Sequence, residues 1–124
     1  MRCIFPLVFA LVVALHSNAV VAFDGNKLLQ DCGDFERSVD GGNSTSNAMG
    51  IGFCLGLMHG ITHSNALYQV MAPGKELLCL PKSGVNNGQA ARVVLRYLRD
   101  HPEQLHENDF ILAMRALRDA FPCS

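Results

Sequence analysis

The chain has 124 residues, with ten basic and eleven acidic side chains and a formal net charge of −1. So small a charge argues against the basic face that nucleic-acid binding needs and against the polybasic segment of a peripheral membrane protein. Partners are therefore expected to be proteins or small molecules, and the length suits one small domain.

The first 22 residues have the pattern of a secretory signal peptide. Arg2 precedes the apolar run from Ile4 to Leu15, and a stretch of small and polar residues follows up to Ala22. The apolar run is shorter than the ~20 residues that a membrane span needs, which favours cleavage over a retained anchor. Cleavage after Ala22 would leave a mature domain of residues 23–124, so we predict an exported protein.

Four cysteines remain after this cleavage: Cys32, Cys54, Cys79 and Cys123. An even number in a small exported domain indicates disulfides, with three pairings possible. A zinc site built from all four is disfavoured, because such sites use cysteine pairs only two to four residues apart, and these four lie far apart in the sequence.

The first half of the mature chain predicts two helices. A short helix is predicted over residues 26–32, and the glycine-rich and asparagine-rich stretch 33–47 is predicted to be a loop. From Asn47 to Val70 the periodicity is helical. The predicted core stripe recurs every four residues, at Met49, Phe53, Leu57 and Ile61, and is widened by Cys54 and Met58. On an adjacent face, Gly52, Gly56 and Gly60 predict close helix packing, either within the domain or across a dimer.

The second half predicts a connector and two further helices. Turn residues fill the stretch 71–85, and Asn86 with Gln89 predicts the capped start of a third helix. Its core stripe is Ala90, Val93, Val94, Tyr97 and Leu98. Pro102 ends this helix and can open the next. The final helix is predicted over residues 107–121, with Phe110, Ala113, Met114, Leu117 and Phe121 buried.

These elements predict an all-α fold, a small disulfide-stapled bundle of about four helices, because no segment has the period of a strand. Antiparallel packing of the last two helices would bring the start of one beside the end of the other. Cys79 would then lie near Cys123, which leaves Cys32 for Cys54. We favour this pairing, although sequence alone does not fix connectivity.

The histidines do not form a recognisable catalytic set. His59 and His63 are four residues apart, but the glutamate of a His-Glu-x-x-His zinc site is absent, and no metal or cofactor is predicted. His101 and His106 flank Pro102, where an acid–base role would need a companion group that the sequence lacks. We predict that His101 caps the following helix and that His106 forms a hydrogen bond across the hairpin. Three arginines predict a solvated basic stripe that Asp100 and Glu103 offset: Arg92, Arg96 and Arg99.

A series of short motifs runs through the mature chain. In order they are Leu28-Leu29 with Cys32, Cys54-x-Gly56 with Gly60, Cys79-x-Pro81, Gly88-Gln89, Val93-Val94, Tyr97-Leu98, His101-Pro102-Glu103 with His106, Ala116-Leu117, and Phe121-Pro122-Cys123. In this order and spacing the chain resembles the Rap–Tai family of immunity proteins, which neutralise amidase effectors of bacterial type VI secretion. Two departures leave the cysteine framework intact: Leu57 stands where an aromatic residue is common, and Glu107-Asn108-Asp109 replace small apolar residues.

The resemblance implies a periplasmic, all-helical protein, often dimeric, that plugs the cleft of a peptidoglycan-cutting amidase and is not itself an enzyme. An exposed loop on a rigid scaffold would make the contact. Two segments qualify, Met71 to Leu78 with Lys75 and Glu76, and the corner from His101 to Asn108 with Glu103 and His106. The sequence does not choose between them. The alternative function is that of a general periplasmic helical protein, structural or chaperone-like, with no specific effector.

Overall fold

The computed structural model describes residues 23–41 and 47–124, and the predicted signal peptide lies outside these ranges. The described residues form four α-helices: α1 (Gly25–Val39), α2 (Ala48–Met71), α3 (Asn87–Asp100) and α4 (Asp109–Ala120). A short 3-10 helix, Pro102–Gln104, lies between the last two. Within these ranges the only β feature is an isolated bridge between Asp24 and Asn108, so the predicted all-α bundle is confirmed. None of the described helices is long and apolar enough to cross a membrane.

Each helix begins at a side-chain cap that the local sequence supplies. The caps are Asp24, Asn47, Asn86 and Asn108, and each accepts a hydrogen bond from the backbone N–H three residues later. A cap of this kind stabilises a helix by about 1 kcal/mol relative to alanine. The predicted cap at Asn86 is confirmed. The last helix begins at Asp109 rather than at Glu107, because Asn108 caps it.

Helix α1 is longer than predicted and runs on to Val39, through residues that the sequence placed in a loop. Its second half is stabilised by tertiary contacts. Phe35 is buried in the core, and Glu36 accepts a 2.6 Å hydrogen bond from Arg99 of α3. The loop prediction was wrong because this packing overrides the low helix propensity of Gly33.

The core lies where the four helices meet, and the two disulfides tie its parts together. Among the described residues the largest fully buried apolar side chains are Leu28, Met58, Leu78, Val94, Leu95, Leu98, Leu112 and Leu117. The Cys32–Cys54 bridge joins α1 to α2 inside this core. The Cys79–Cys123 bridge joins the segment after α2 to the end of the chain. Both bridges match the predicted pairing, and each stabilises the fold by about 3–4 kcal/mol through its constraint on the unfolded chain.

Helix α2 buries most of its predicted apolar stripe. Cys54, Met58 and Ile61 are buried, and Phe53 and Leu57 are half-buried and pack against the core. The Cys32–Cys54 bridge turns this face of α2 towards α1. Only Met49, in the first turn, differs from the prediction, since it is 84% exposed.

The predicted close packing at the glycines of α2 is not found within the described residues. A Cβ atom built on Gly52, Gly56 or Gly60 would meet no atom within 4 Å. The other interpretation of this stripe, contact across a dimer, stays a prediction. In α4 one position was also wrong: Phe110 is 46% exposed, and Leu112 is buried in its place.

Candidate functional site

The connector between α2 and α3, residues 72–86, is fixed to the scaffold near its middle. The side chain of Asn65 donates a hydrogen bond to the Leu78 carbonyl oxygen at 3.1 Å and accepts one from the Leu78 N–H at 3.0 Å. Both residues are buried, Leu78 completely. The next residue, Cys79, is bonded to Cys123. Two adjacent anchors therefore hold the connector at residues 78 and 79.

Ahead of these anchors, the 73–77 loop projects into solvent, and all five of its residues are exposed. Its turn is closed by a 3.1 Å hydrogen bond from the Lys75 N–H to the Ala72 carbonyl oxygen. Gly74 has a φ of +79°, a conformation that glycine adopts without steric cost. Lys75 and Glu76, two of the predicted contact residues, lie in this loop.

An apolar patch borders the 73–77 loop at the end of α2. It consists of Leu67, Val70 and Met71, each at least 60% exposed, at the i, i+3, i+4 spacing that places side chains on one helix face. Leu77 adds an exposed apolar side chain from the loop itself. Exposed apolar patches on small proteins mark interaction surfaces. Sequence reasoning missed this patch, although the signal was present: α2 carries no charged residue along its 24 positions.

A groove of about 490 Å³ separates the C-terminal half of α2 from the connector. Its walls carry His63, Glu76 and Lys82, and Leu80 and Val85 supply apolar lining. Within the described ranges, the one cluster of three potential metal ligands is Glu76 with Cys79 and Cys123. The disulfide engages both sulfur atoms of this cluster, so the groove offers polar and apolar contacts rather than a thiolate.

The corner from His101 to Asn108 is pinned to the start of α1 by backbone hydrogen bonds. The Gly25 N–H donates to the Glu107 carbonyl oxygen at 3.0 Å, and the Asn26 N–H donates to the Leu105 carbonyl oxygen at 3.1 Å. A Cβ on Gly25 would lie 2.9 Å from the Leu105 Cα. The two backbones approach so closely here that residue 25 must be glycine, and the corner is held against the start of α1.

The histidines of the corner differ from their predicted roles. The His101 Nδ1–H donates to the Tyr97 carbonyl oxygen at 2.9 Å, and the two rings stack with centroids 4.1 Å apart. The 3-10 helix that follows has no side-chain cap, so the prediction that His101 caps it was wrong. The side chain of His106 is exposed, and the predicted bond across the hairpin is not found among the described residues. Glu103 is also exposed.

An ion pair closes the inner side of the corner. The Arg115 guanidinium donates two hydrogen bonds to the Glu107 carboxylate, at 3.0 and 2.9 Å, and a third to the Gln104 side chain at 2.9 Å. Hydrogen bonding from Arg115 holds the pKa of Glu107 below its ordinary value. The Glu107 carboxylate of the corner is therefore already paired with a cation within the scaffold.

The arginine stripe of α3 is exposed, as predicted, and acidic residues offset it. Arg96 lies 3.8 Å from Asp100, whereas Arg99 pairs with Glu36 of α1 at 2.6 Å, a partner that the sequence did not reveal. Hydrogen bonding from Arg99 lowers the pKa of Glu36. Exposed pairs of this kind contribute little stability, and they leave no strong basic patch.

The connector and the corner lie at opposite ends of the α3–α4 hairpin. The corner joins the end of α3 to the start of α4, and Cys123 beyond the end of α4 is bonded to Cys79 of the connector. Helix α4 has 12 residues, which span about 18 Å. The two segments are therefore separated by about the length of α4. Of the two, only the 73–77 loop adjoins the apolar patch.

The fold and this surface define a disulfide-stapled helical scaffold that presents an anchored loop beside exposed apolar side chains. The family model of the Rap1a immunity proteins matches residues 24–123, and the chain belongs to this family. Comparison with curated proteins and with solved structures finds no match. Membership confirms the predicted resemblance, gives the chain the general role of an immunity protein that binds a cognate effector, and places it in a generally non-enzymatic family.

Proposed function

We propose that the mature chain is a periplasmic immunity protein that binds a peptidoglycan amidase delivered by type VI secretion and occludes its active site. Family membership supports the immunity role. The two disulfides support an oxidising compartment, as does the signal-peptide pattern of residues 1–22. The protein acts by occupying the cleft, and its four mature cysteines are engaged in bridges rather than available as thiolates.

The observation that carries the proposal is the 73–77 loop, which is exposed although its neighbours at 78 and 79 are anchored. A loop held in its bound conformation loses little conformational entropy on binding, so more of the contact energy appears as affinity. Lys75 and Glu76 offer charges to the polar rim of a cleft. Leu77 offers an apolar anchor of the kind that dominates binding energy at interface centres.

The apolar patch of Leu67, Val70 and Met71 extends the surface beside the loop. Interface cores are depleted of charge, and this end of α2 has none. The corner with His101, Glu103 and His106 also borders exposed apolar side chains, those of Phe23, Phe110 and Ile111. We choose the 73–77 loop because it carries its own exposed apolar side chain, Leu77, directly before the two anchors. A homodimer, which the sequence resemblance implies, is a further part of the proposal and is tested by light scattering on the mature protein.

The experiment is periplasmic co-expression with the amidase encoded beside this gene, with lysis as the readout. The wild type is expected to suppress lysis and to form a complex that survives gel filtration. Leu77→Asp, which places a charge at the centre of the surface, should weaken binding at least tenfold, about 1.4 kcal/mol. The matched control is Glu103→Ala with His106→Ala at the opposite end of the hairpin, which should bind as the wild type does.

Undiminished lysis with no detectable complex would overturn the proposal. Equal losses in the loop and corner variants would overturn the assignment of the loop. The alternative, a chaperone-like protein, predicts similar weak binding to unrelated unfolded proteins through the apolar patch and no protection from lysis. The same purified proteins, titrated against an unfolded client, distinguish the two functions.

A further inference from the structure

Two histidines of α2, outside the proposed contact loop, form a pair on the helix surface. His59 and His63 lie one turn apart, both are exposed, and their imidazole rings are tilted against each other, with centroids 3.8 Å apart and planes inclined by 31°. The i, i+4 spacing on a helix directs two imidazoles to one side, where they can bind one metal ion together. The sequence predicted no metal here, because the glutamate of a His-Glu-x-x-His zinc site is absent and a third ligand would have to come from a distant loop. A site that uses two histidines and water needs no third protein ligand.

The hydrogen bonds of His63 fix which of its nitrogens is free. Its Nδ1 lies 3.0 Å from the His59 carbonyl oxygen. A carbonyl can only accept, so Nδ1 carries the proton and the neutral ring has an unprotonated Nε2. Metal-binding histidines use this arrangement, in which one ring nitrogen donates to a backbone carbonyl and the other binds the ion. The helix itself therefore favours the tautomer of His63 whose Nε2 can bind an ion.

His59 has a comparable partner in Asn87, at the start of α3. The nitrogen of the Asn87 side-chain amide lies 3.5 Å from the His59 Nδ1, so metal binding through the His59 Nε2 requires this amide to turn. Rotation of this amide by half a turn exchanges its nitrogen for its oxygen, which would then accept from Nδ1–H. In that orientation the His59 Nε2 is also unprotonated. Each histidine of the pair thus has a group that positions its Nδ1 side.

The electrostatic surroundings do not oppose a cation at this place. Helix α2 contains no lysine or arginine. His63 borders the groove beside the connector, where the Glu76 carboxylate faces the same space as the Lys82 ammonium. These two charges offset one another, so this side of the site does not repel a divalent cation.

We propose that His59 and His63 chelate one divalent transition-metal ion, of the Zn²⁺, Ni²⁺ or Cu²⁺ class, through their Nε2 atoms. Imidazole is a preferred ligand for these ions. Two nitrogens that share an ion at about 2.1 Å each lie no more than about 4.2 Å apart, and the ion lies in the plane of both rings. The two imidazoles, whose planes are inclined by 31° with centroids 3.8 Å apart, therefore turn about their exposed side-chain bonds to bind it. Water completes the coordination, so the ion is exchangeable and its outer face is open to a ligand from a partner. The site stands independently of the proposed effector binding.

Calorimetric titration of the tag-free, disulfide-intact mature protein with Zn²⁺ and Ni²⁺ tests the site. We expect one ion per chain. An ion present at about ten times its Kd shifts the folding equilibrium about tenfold and raises Tm by roughly 5 °C or more, an effect that a chelator reverses. His59→Ala and His63→Ala should each lower the affinity at least tenfold, and Asn87→Ala, which removes a positioning group, by about tenfold.

The matched control is His101→Ala with His106→Ala, a pair whose spacing does not share a helix face, and it should bind the ion as the wild type does. His59 and His63 are exposed helix positions, so their replacement by alanine should leave the fold intact, which circular dichroism checks. The proposal is overturned if the wild type shows neither heat nor a change in Tm. It is equally overturned if the double His59→Ala, His63→Ala variant binds as tightly as the wild type.

Discussion

Asn65 is the single side chain on which the position of the connector most depends, and its replacement by alanine removes both hydrogen bonds to Leu78. The buried Leu78 N–H would lose its partner, and the carbonyl would keep only the 3.5 Å contact from Gln69. A buried polar group left unpaired costs about 1–3 kcal/mol. The better helix propensity of alanine offsets roughly 0.6 kcal/mol. With about 2 kcal/mol for the N–H and no more than about 1 kcal/mol for the weakened carbonyl, we expect Asn65→Ala to lower the free energy of unfolding by about 2 kcal/mol.

Urea unfolding followed by far-UV circular dichroism measures this loss, with both disulfides intact. The control is Ser64→Ala, the adjacent and exposed position on α2, which should change the stability by no more than about 0.5 kcal/mol. Below the unfolding transition, Asn65→Ala should also bind the amidase more weakly than Ser64→Ala, because the 73–77 loop has lost one anchor. A loss of stability under about 1 kcal/mol, or one equal to that of the control, would refute the role of Asn65 as the anchor.

Three further predictions test the scaffold. Mild reduction should open the Cys79–Cys123 bridge before the Cys32–Cys54 bridge, because Cys123 is exposed whereas Cys32 and Cys54 are fully buried. Alkylation and mass spectrometry would then show two modified cysteines, and equal modification of all four would contradict this order of reduction. Gly56→Ala should raise the free energy of unfolding by about 1 kcal/mol, since a Cβ there meets no neighbour, whereas Gly25→Ala should lower it, because its Cβ would collide with Leu105. Urea midpoints measure both changes, and two changes in the same direction would count against this packing. The Glu107–Arg115 pair lowers the pKa of the carboxyl below 4.5, so its contribution is present above that value and is lost as the pH falls through the lowered pKa. Glu107→Gln should flatten the fall in the urea midpoint between about pH 5 and pH 3, and an unchanged pH profile would exclude this contribution.

Helix α3 could be predicted because its apolar and charged residues separate cleanly around the helix. Ala90, Val94 and Leu98 are buried as the stripe predicted, and Arg92 and Arg96 lie on the solvated side. An amphipathic pattern of this kind determines both the helix and the face that it buries. Sequence and structure agree here because the local pattern and the tertiary packing favour the same helix with the same buried face.

The end of α1 shows a different case, in which the pattern was present but was outweighed. Leu28, Cys32 and Phe35 follow the i, i+4, i+7 spacing of one helix face, and all three are buried. The prediction gave more weight to Gly33 and to the turn-forming residues beyond it. In the structure, the burial of Phe35 stabilises the helix by more than one internal glycine costs, about 1 kcal/mol.

The anchors of the candidate site were only partly predictable. The Cys79–Cys123 bridge followed from the antiparallel packing of two predicted helices. The contact between Asn65 and Leu78 did not, because it joins residues 13 positions apart across a turn, and no periodic pattern marks such a pair. An asparagine on the buried face of an apolar helix is nevertheless a usable signal, since a buried amide must find hydrogen-bond partners.

Helix α2 explains why the apolar patch escaped prediction and why it matters. With no charged residue in 24 positions, apolar periodicity cannot tell the buried face from the exposed one. A helix that is largely apolar and uncharged is expected to be mostly buried, yet Met49 and Leu67 are exposed and Gly56 faces open space. Covering such surface gains about 25 cal/mol per Å², and the described part of the domain does not cover it. The face is therefore more apolar than the fold requires, and a partner that buries it would gain that free energy, which supports placing the proposed effector surface along α2 and the 73–77 loop.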